Sequence, residues 1–149
     1  MARLPSAPRM RLGRVTSCGE IRVSITMAVM DPMDVKVEGA GGDIVGIRVT
    51  QVTGTRSRMR GMIKRSPMPD SSALLFRAKQ VHTFGMDRPI DVLHLAPDGD
   101  VISVRTVAPN RLSRLLLGAR WVLEMEGGEA RRLGITAGSR LLLDGGGRR

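Results

Sequence analysis

Apolar and polar positions alternate in several short runs of the chain, a pattern typical of half-buried β-strands. Residues 44–52, IVGIRVTQV, are also rich in the β-branched residues that strands favour. The other predicted strands are residues 21–30, 73–76, 81–86, 90–96, 101–107, 121–126 and 139–144.

Turn and helix signals separate these runs. PDGD at 97–100 predicts a hairpin, because proline presets the turn and Asp-Gly accepts a positive φ. A short helix is predicted over 57–65, one or two helical turns within the loop 108–120, and a single helical turn within 127–135, ended by a glycine. Six to eight short strands with one or two short helices predict a mainly β fold. We expect a small barrel or sandwich of mostly antiparallel strands.

The first part of the chain differs in composition from the rest. Residues 1–20 are rich in Arg, Pro, Ser and Gly, and GAGGD at 39–43 is typical of a turn or hinge. We therefore predict a weakly ordered or variable extension over 1–42 and a single β-rich domain over 43–146.

Positive charge dominates the 149 residues, with a formal net charge of +10 at pH 7. Such a surplus favours anionic partners, namely nucleic acid, a membrane surface or an acidic protein. The alternative is an arginine-rich solvated surface. A cluster at 56–65 supplies candidate anion contacts, although it is equally typical of a solvated helix face. Its members besides Arg60 are Arg56, Arg58, Lys64 and Arg65.

Compartment and membrane signals are few. Cys18 is the only cysteine, so no internal disulfide can form. No segment is long enough to cross a bilayer. Residues 21–30 are short for a signal-peptide core and lead into Asp31-Pro32 rather than a cleavage site. We expect a cytoplasmic protein.

Motifs for catalysis are missing from the sequence. Asp91 and His94 are three residues apart, so a regular strand would direct them to opposite faces and they could not share a metal ion. No nucleophile elbow occurs, and GAGGD lacks the Lys-Ser/Thr ending of a phosphate-binding loop. We therefore predict no metal, no cofactor and no catalytic residue.

Asp91 is the most informative polar residue. Its predicted strand is apolar on both faces, so its carboxylate should be at least partly buried and must be paired or hydrogen-bonded. The cluster at 56–65 could supply a basic partner, which would pin helix to sheet. Alternatively, Asp91 could line a pocket that recognises a polar ligand. His82 alternates with Phe84 and Met86 and is the better functional candidate of the two histidines.

Four separated motifs together resemble the DUF-192 family of bacterial and archaeal proteins over residues 44–144. They are RGMIKR (60–65), HTFGMDRPIDVLHLAPDGDVISV (82–104), VLEMEGGEARRLGI (122–135) and AGSRLLL (137–143). The resemblance implies a compact β-rich fold and carries no established activity. Ser139 stands where the family usually has an aspartate. The residues at its signature positions are Arg60, Gly61, His82, Met86, Pro89, Asp91 and Glu124.

Three hypotheses about function follow. The first is a binding module with a polar-lined concave site formed by Arg60, His82, Met86, Asp91 and Glu124. The second is a structural or protein-interaction module in which these residues serve the fold. The third is an anion or nucleic-acid binder that acts through the arginine cluster.

Overall fold

Seven strands form one curled sheet in the computed structural model, which describes residues 31–53 and 68–142. The strands are β1 (Met33–Glu38), β2 (Ile44–Gln51), β3 (Ser72–Phe76), β4 (Ile90–Leu95), β5 (Val101–Val107), β6 (Trp121–Glu126) and β7 (Arg140–Leu142). One short helix, α1 (Glu129–Arg132), follows β6. The predicted mainly β architecture is confirmed.

The strand order is β5-β4-β6-β3-β2-β1-β7. Neighbours are antiparallel except β2 and β3, which run parallel. The sheet curls until its two edges meet at one end. There the amide of Leu141 donates to the carbonyl of Gly99 at 2.9 Å, and the amide of Val101 donates to the carbonyl of Ser139 at 2.8 Å. The result is a half-barrel closed at the start of β5.

Apolar side chains from all seven strands fill the inside of the curl, here called the inner core. The strands β1 and β2, which lie next to β7 at one end of the strand order, bury only alternate residues. Val35 and Val37 are buried, and Lys36 between them is exposed. Their other faces meet solvent, which explains the clean alternation in sequence. The buried residues of the inner core are Val35, Val37, Ile47, Val49, Ala73, Leu75, Leu93, Leu95, Val101, Leu123, Met125, Ala130, Ile135 and Leu141.

The strands β3, β4 and β6 are buried on both faces, because a second apolar layer covers their outer side. This layer, here called the outer cluster, includes residues from loops as well as from strands. Its buried members are Val52, Leu74, Phe76, Val81, Met86, Ile90, Val92, Val107 and Val122. Both faces of the sheet are therefore packed at its centre.

Most of the predicted strands and turns agree with the structure. The hairpin at 97–100 is present, with Gly99 at φ 93°, and the single helical turn is α1. The strand predicted over 81–86 is wrong: this segment is a loop with one isolated bridge, His82 to Leu112, and further backbone hydrogen bonds to residues 110–113. The helical turns predicted within 108–120 are also absent from the described structure, where that segment is a loop.

The ordered sheet begins before the predicted domain start at residue 43. β1 pairs with both β2 and β7, and the glycine-rich stretch at 39–43 forms the tight β1–β2 turn rather than a hinge. The predicted strand at 21–30, the predicted helix at 57–65 and Cys18 lie outside the described residues.

Closure of the half-barrel requires glycine at position 99. A Cβ on Gly99 would lie 2.8 Å from the carbonyl oxygen of Leu141, and the residue also has a positive φ. Gly42, in the β1–β2 turn, has a similar φ of 89° but no atom within 4 Å of such a Cβ. We expect Gly42→Ala to cost about 1–2 kcal/mol of unfolding free energy from backbone strain alone. Gly99→Ala should cost more, because the closing strand must also move.

Urea unfolding of the two variants measures this difference. Equal losses would show that the closure accommodates the extra methyl group without cost.

Candidate functional site

Asp91 acts as a polar clasp between β4, β5 and α1. It is 2% exposed and faces the inner side of the sheet. Its Oδ2 accepts the backbone N–H groups of Gly128 at 3.0 Å and Ala130 at 2.9 Å, and its Oδ1 accepts the Thr106 hydroxyl at 2.7 Å. The predicted burial of Asp91 is observed. The described hydrogen-bond donors are neutral rather than basic, and the cluster at 56–65 lies outside the described residues.

Glu124 lies at the centre of the outer cluster. It pairs with Leu74 on one neighbouring strand and Val92 on the other, so its carboxyl points away from the inner core. It is 6% exposed, and no hydrogen bond to its carboxyl is found within residues 31–53 and 68–142. Burial raises the pKa of Glu124 to about 7. Glu124 is therefore a desolvated acid that takes up a proton near neutrality.

His94 lies on the same face as Glu124. It pairs with Val122, two residues before Glu124, which makes the histidine and the glutamate diagonal neighbours across β4 and β6. His94 is 1% exposed, and neither ring nitrogen forms a hydrogen bond of normal geometry to the described chain, although the ring interacts with the backbone of Lys79. Burial lowers the pKa of His94, while the backbone of Lys79 opposes part of this shift. The ring is therefore neutral at pH 7, with one donor and one acceptor.

His82 and Met86 flank the outer cluster from the loop 81–86. Met86 is buried in the cluster, whereas Phe84 is 49% exposed, so these residues do not share one face as the sequence suggested. The His82 ring stacks on Phe84 with a centroid separation of 5.2 Å, and its Nδ1 has no described partner. Buried Thr83 holds the loop in place: its hydroxyl donates to the carbonyl of Ala108 at 2.6 Å.

The predicted pocket residues therefore divide between the two sides of the sheet. Asp91 lies on the inner side, paired with Met125, while Glu124 and Met86 lie on the outer side. Arg60 and the other members of the basic cluster lie outside the described residues. Sequence analysis ranked His94 below His82 as a functional candidate. The fold places it diagonal to Glu124, where neither ring nitrogen has a hydrogen bond of normal geometry within the described residues.

The described residues contain no group of three His, Cys, Asp or Glu side chains arranged to hold a metal ion. No helix in the same part of the chain is long and apolar enough to span a membrane. Glu124 and His94 can form hydrogen bonds through a carboxyl whose pKa burial raises to about 7 and an imidazole whose pKa burial lowers.

If Asp91 is a clasp, its replacements should follow a definite order of stability. Asp91→Ala leaves two helix N–H groups and a hydroxyl without a partner, and should lower the unfolding free energy by about 3–5 kcal/mol. Asp91→Asn retains an acceptor for the N–H groups and loses only the charge, so about 1–2 kcal/mol is expected. Thr106→Val, which removes one donor, should cost about 1 kcal/mol or less. Chemical denaturation gives the three values, and a harmless Asp91→Ala would contradict the clasp.

The Glu124 carboxyl should make stability depend on pH. Its pKa rises from 4.5 to about 7 on folding, so the folded chain binds an extra proton between these values. Wild-type stability should therefore fall as pH rises through this window, by up to about 3 kcal/mol. Glu124→Gln mimics the protonated acid and should not show this loss.

The stability difference between Glu124→Gln and wild type should be small near pH 4 and reach its full size by about pH 8, measured by urea unfolding. A difference that does not change with pH would contradict the buried, proton-binding carboxyl.

Comparisons with known proteins place this geometry in a family. A protein of unknown function from Novosphingobium aromaticivorans superposes with a TM-score of 0.67 at 19% identity, covering 86% of this chain and all of that one. A candidate transcription regulator from Sinorhizobium meliloti gives a TM-score of 0.65 at 24% identity, covering 74% and 92%. These likenesses establish the fold alone.

A search of curated proteins gives no significant match. The model of the DUF192 family, described as an uncharacterized ACR, matches residues 35–143. That match includes every strand from the middle of β1 to the end of β7 and carries no assignable reaction. The chain belongs to the DUF192 family.

Proposed function

We propose that this domain is a non-catalytic binding module that holds a small, uncharged polar ligand against Glu124 and His94. One observation carries the proposal. Two buried titratable side chains lie diagonally on the same face of the sheet. Glu124 has no hydrogen-bond partner among the described residues, and the His94 ring has only a weak interaction with the backbone of Lys79.

Unpaired buried groups of this kind are expensive. Each costs about 1–3 kcal/mol relative to its hydrogen-bonded state, and native proteins rarely retain them without a use. Asp91, three residues before His94 on β4, has three donors within hydrogen-bond distance. Strand β4 thus carries Asp91, whose carboxylate is fully hydrogen-bonded, and His94, whose ring is not. An external partner explains this difference better than a general lack of donors and acceptors.

The protonation states restrict the ligand class. A protonated Glu124 and a neutral His94 each offer one donor and one acceptor. An alcohol, amide or ketone complements such a pair, whereas a carboxylate or phosphate would lack a countercharge there. Met86, buried in the outer cluster, supplies an adaptable apolar wall.

Three other residues predicted to line the pocket, Asp91, His82 and Arg60, are not assigned to the proposed ligand site. Asp91 serves the clasp on the inner side, and His82 reaches the outer cluster only through its loop. A role for Arg60 remains a prediction. We also propose a cytoplasmic location, supported by a single cysteine that excludes an internal disulfide.

A structural module is the main alternative, and the Asp91 clasp favours it. The two functions differ in the sign of a stability change. If Glu124 and His94 serve a ligand, apolar replacements of similar size should stabilise the free domain. If they serve the fold, the same replacements should destabilise it.

We expect Glu124→Met and His94→Leu to raise the unfolding free energy by about 1–3 kcal/mol near pH 8. Glu126→Met is the matched control on the same strand and face. Glu126 accepts the backbone N–H of Met68 at 2.9 Å and pairs with Arg88, so its replacement should destabilise. Loss of stability in all three variants would favour the structural alternative.

Ligand-observed NMR against a panel of small alcohols, amides and ketones tests binding directly. Wild type should bind members of the panel, and Glu124→Met should lose them while remaining folded. Binding that survives in both Glu124→Met and His94→Leu would exclude this site.

A further inference from the structure

A cationic and apolar surface is formed by the loop 108–120 and the segments beside it. Loop residues 111–116 run alongside residues 79–83. The amide of Leu116 donates to the carbonyl of Lys79 at 3.0 Å, and the amide of Thr83 donates to the carbonyl of Arg111 at 2.8 Å. We call this ribbon, residues 77–86 with 101–120, the basic loop face.

Charge on the basic loop face has a single sign. Its two segments contain six Lys or Arg residues and no Asp or Glu. All six are exposed, and they border two open cavities of about 450 and 380 Å³. The first cavity is lined by Arg77, Lys79 and Arg120, and the second by Arg105, Arg111 and Arg114.

Exposed apolar side chains are concentrated in the same two segments. Among the described residues, six large hydrophobic side chains are exposed, and five of them belong to these two segments. Leu117 is 73% exposed and Leu112 is 60% exposed. The five residues are Phe84, Ile102, Leu112, Leu115 and Leu117. Clustered exposed apolar residues of this kind mark an interaction surface.

The fold holds these leucines outward. Ser113 is buried, and its hydroxyl accepts the backbone N–H of Val81 at 2.9 Å. Ala119 is also buried, and the amide of Arg120 donates to the carbonyl of Leu95 at 2.8 Å. Because the loop is anchored at both positions, the residues between them cannot all turn into the core.

We propose that the basic loop face binds the surface of an anionic phospholipid membrane. Arginine and lysine side chains gain energy from anionic headgroups, and exposed leucines gain energy by entering the interface. An anionic membrane surface would therefore engage both the cationic side chains and the exposed leucines of the face. Binding of this type lies on the surface and needs no spanning helix.

Charge and composition make other partners less suitable. A second copy of this chain would bring six cations against six cations. Nucleic acid would use the arginines but gain little from three exposed leucines, and the only exposed aromatic ring on the face is that of Phe84, stacked on His82.

Vesicle flotation of the full chain tests the proposal. The probes are vesicles of phosphatidylcholine alone and of phosphatidylcholine mixed equally with phosphatidylglycerol. We expect binding to the mixed vesicles only. Arg111→Glu should weaken the binding roughly tenfold, and Leu117→Ser should weaken it severalfold.

Two variants away from the face serve as matched controls. Arg48→Glu makes the same charge change on β2, and Ile44→Ser makes a comparable apolar change at a side chain that is 63% exposed. Both should bind like wild type. Thermal unfolding of all four variants verifies that they are folded.

Three results would overturn the proposal. One is no binding to the mixed vesicles. Another is equal weakening by the controls, which would indicate attraction by net charge alone. The third is binding unaffected by Leu117→Ser together with tighter binding to an oligonucleotide, which would assign the face to nucleic acid.

Discussion

Burial of both faces of the central strands is the constraint on which the rest of this structure depends. β3, β4 and β6 lie in the middle of the curled sheet, with the inner core on one side and the outer cluster on the other. A half-barrel filled only on its inner side would leave Leu74, Ile90 and Val92 in water. The loops around residues 81–86 and 108–120 must therefore pack in fixed positions, and polar residues in the central strands cannot reach solvent.

The fold treats its buried polar groups in two ways. Asp91 and Thr83 are fully partnered, and each joins segments distant in sequence: Asp91 connects β4 to α1, and Thr83 connects two loops. Glu124 and His94 have comparable burial without such partners. Polar groups of the first kind specify the fold, because removing a partner is costly. Groups of the second kind lower stability, which is the usual pattern of residues retained for binding.

The sequence predicted strands well where local chemistry decides the structure. Alternation in β2 and the Asp-Gly turn at 97–100 identified their elements, because side-chain period and turn geometry are local properties. The loop at 81–86 was predicted as a strand because it alternates, yet its pairing with residues 110–113 extends to one isolated bridge and does not continue as a ladder. For the site, apolar flanks correctly indicated that Asp91 is buried. Its donors could not be found by searching for basic residues, since they are two backbone N–H groups and the Thr106 hydroxyl. The N–H of Ala130 is available to Asp91 because of where α1 begins.

Pairing of β1 with β7 has a consequence for how the chain is made. Val37 lies opposite Leu141, so two strands from opposite ends of the domain form one ladder. During translation β1 leaves the ribosome long before β7 exists, and one side of it has no native neighbour until synthesis of the domain is almost complete. Nascent strands with an open edge pair readily with other chains. Charged side chains on an open strand disfavour such pairing, and Asp34, Lys36 and Glu38 are exposed on β1, the strand whose edge stays open until β7 is made.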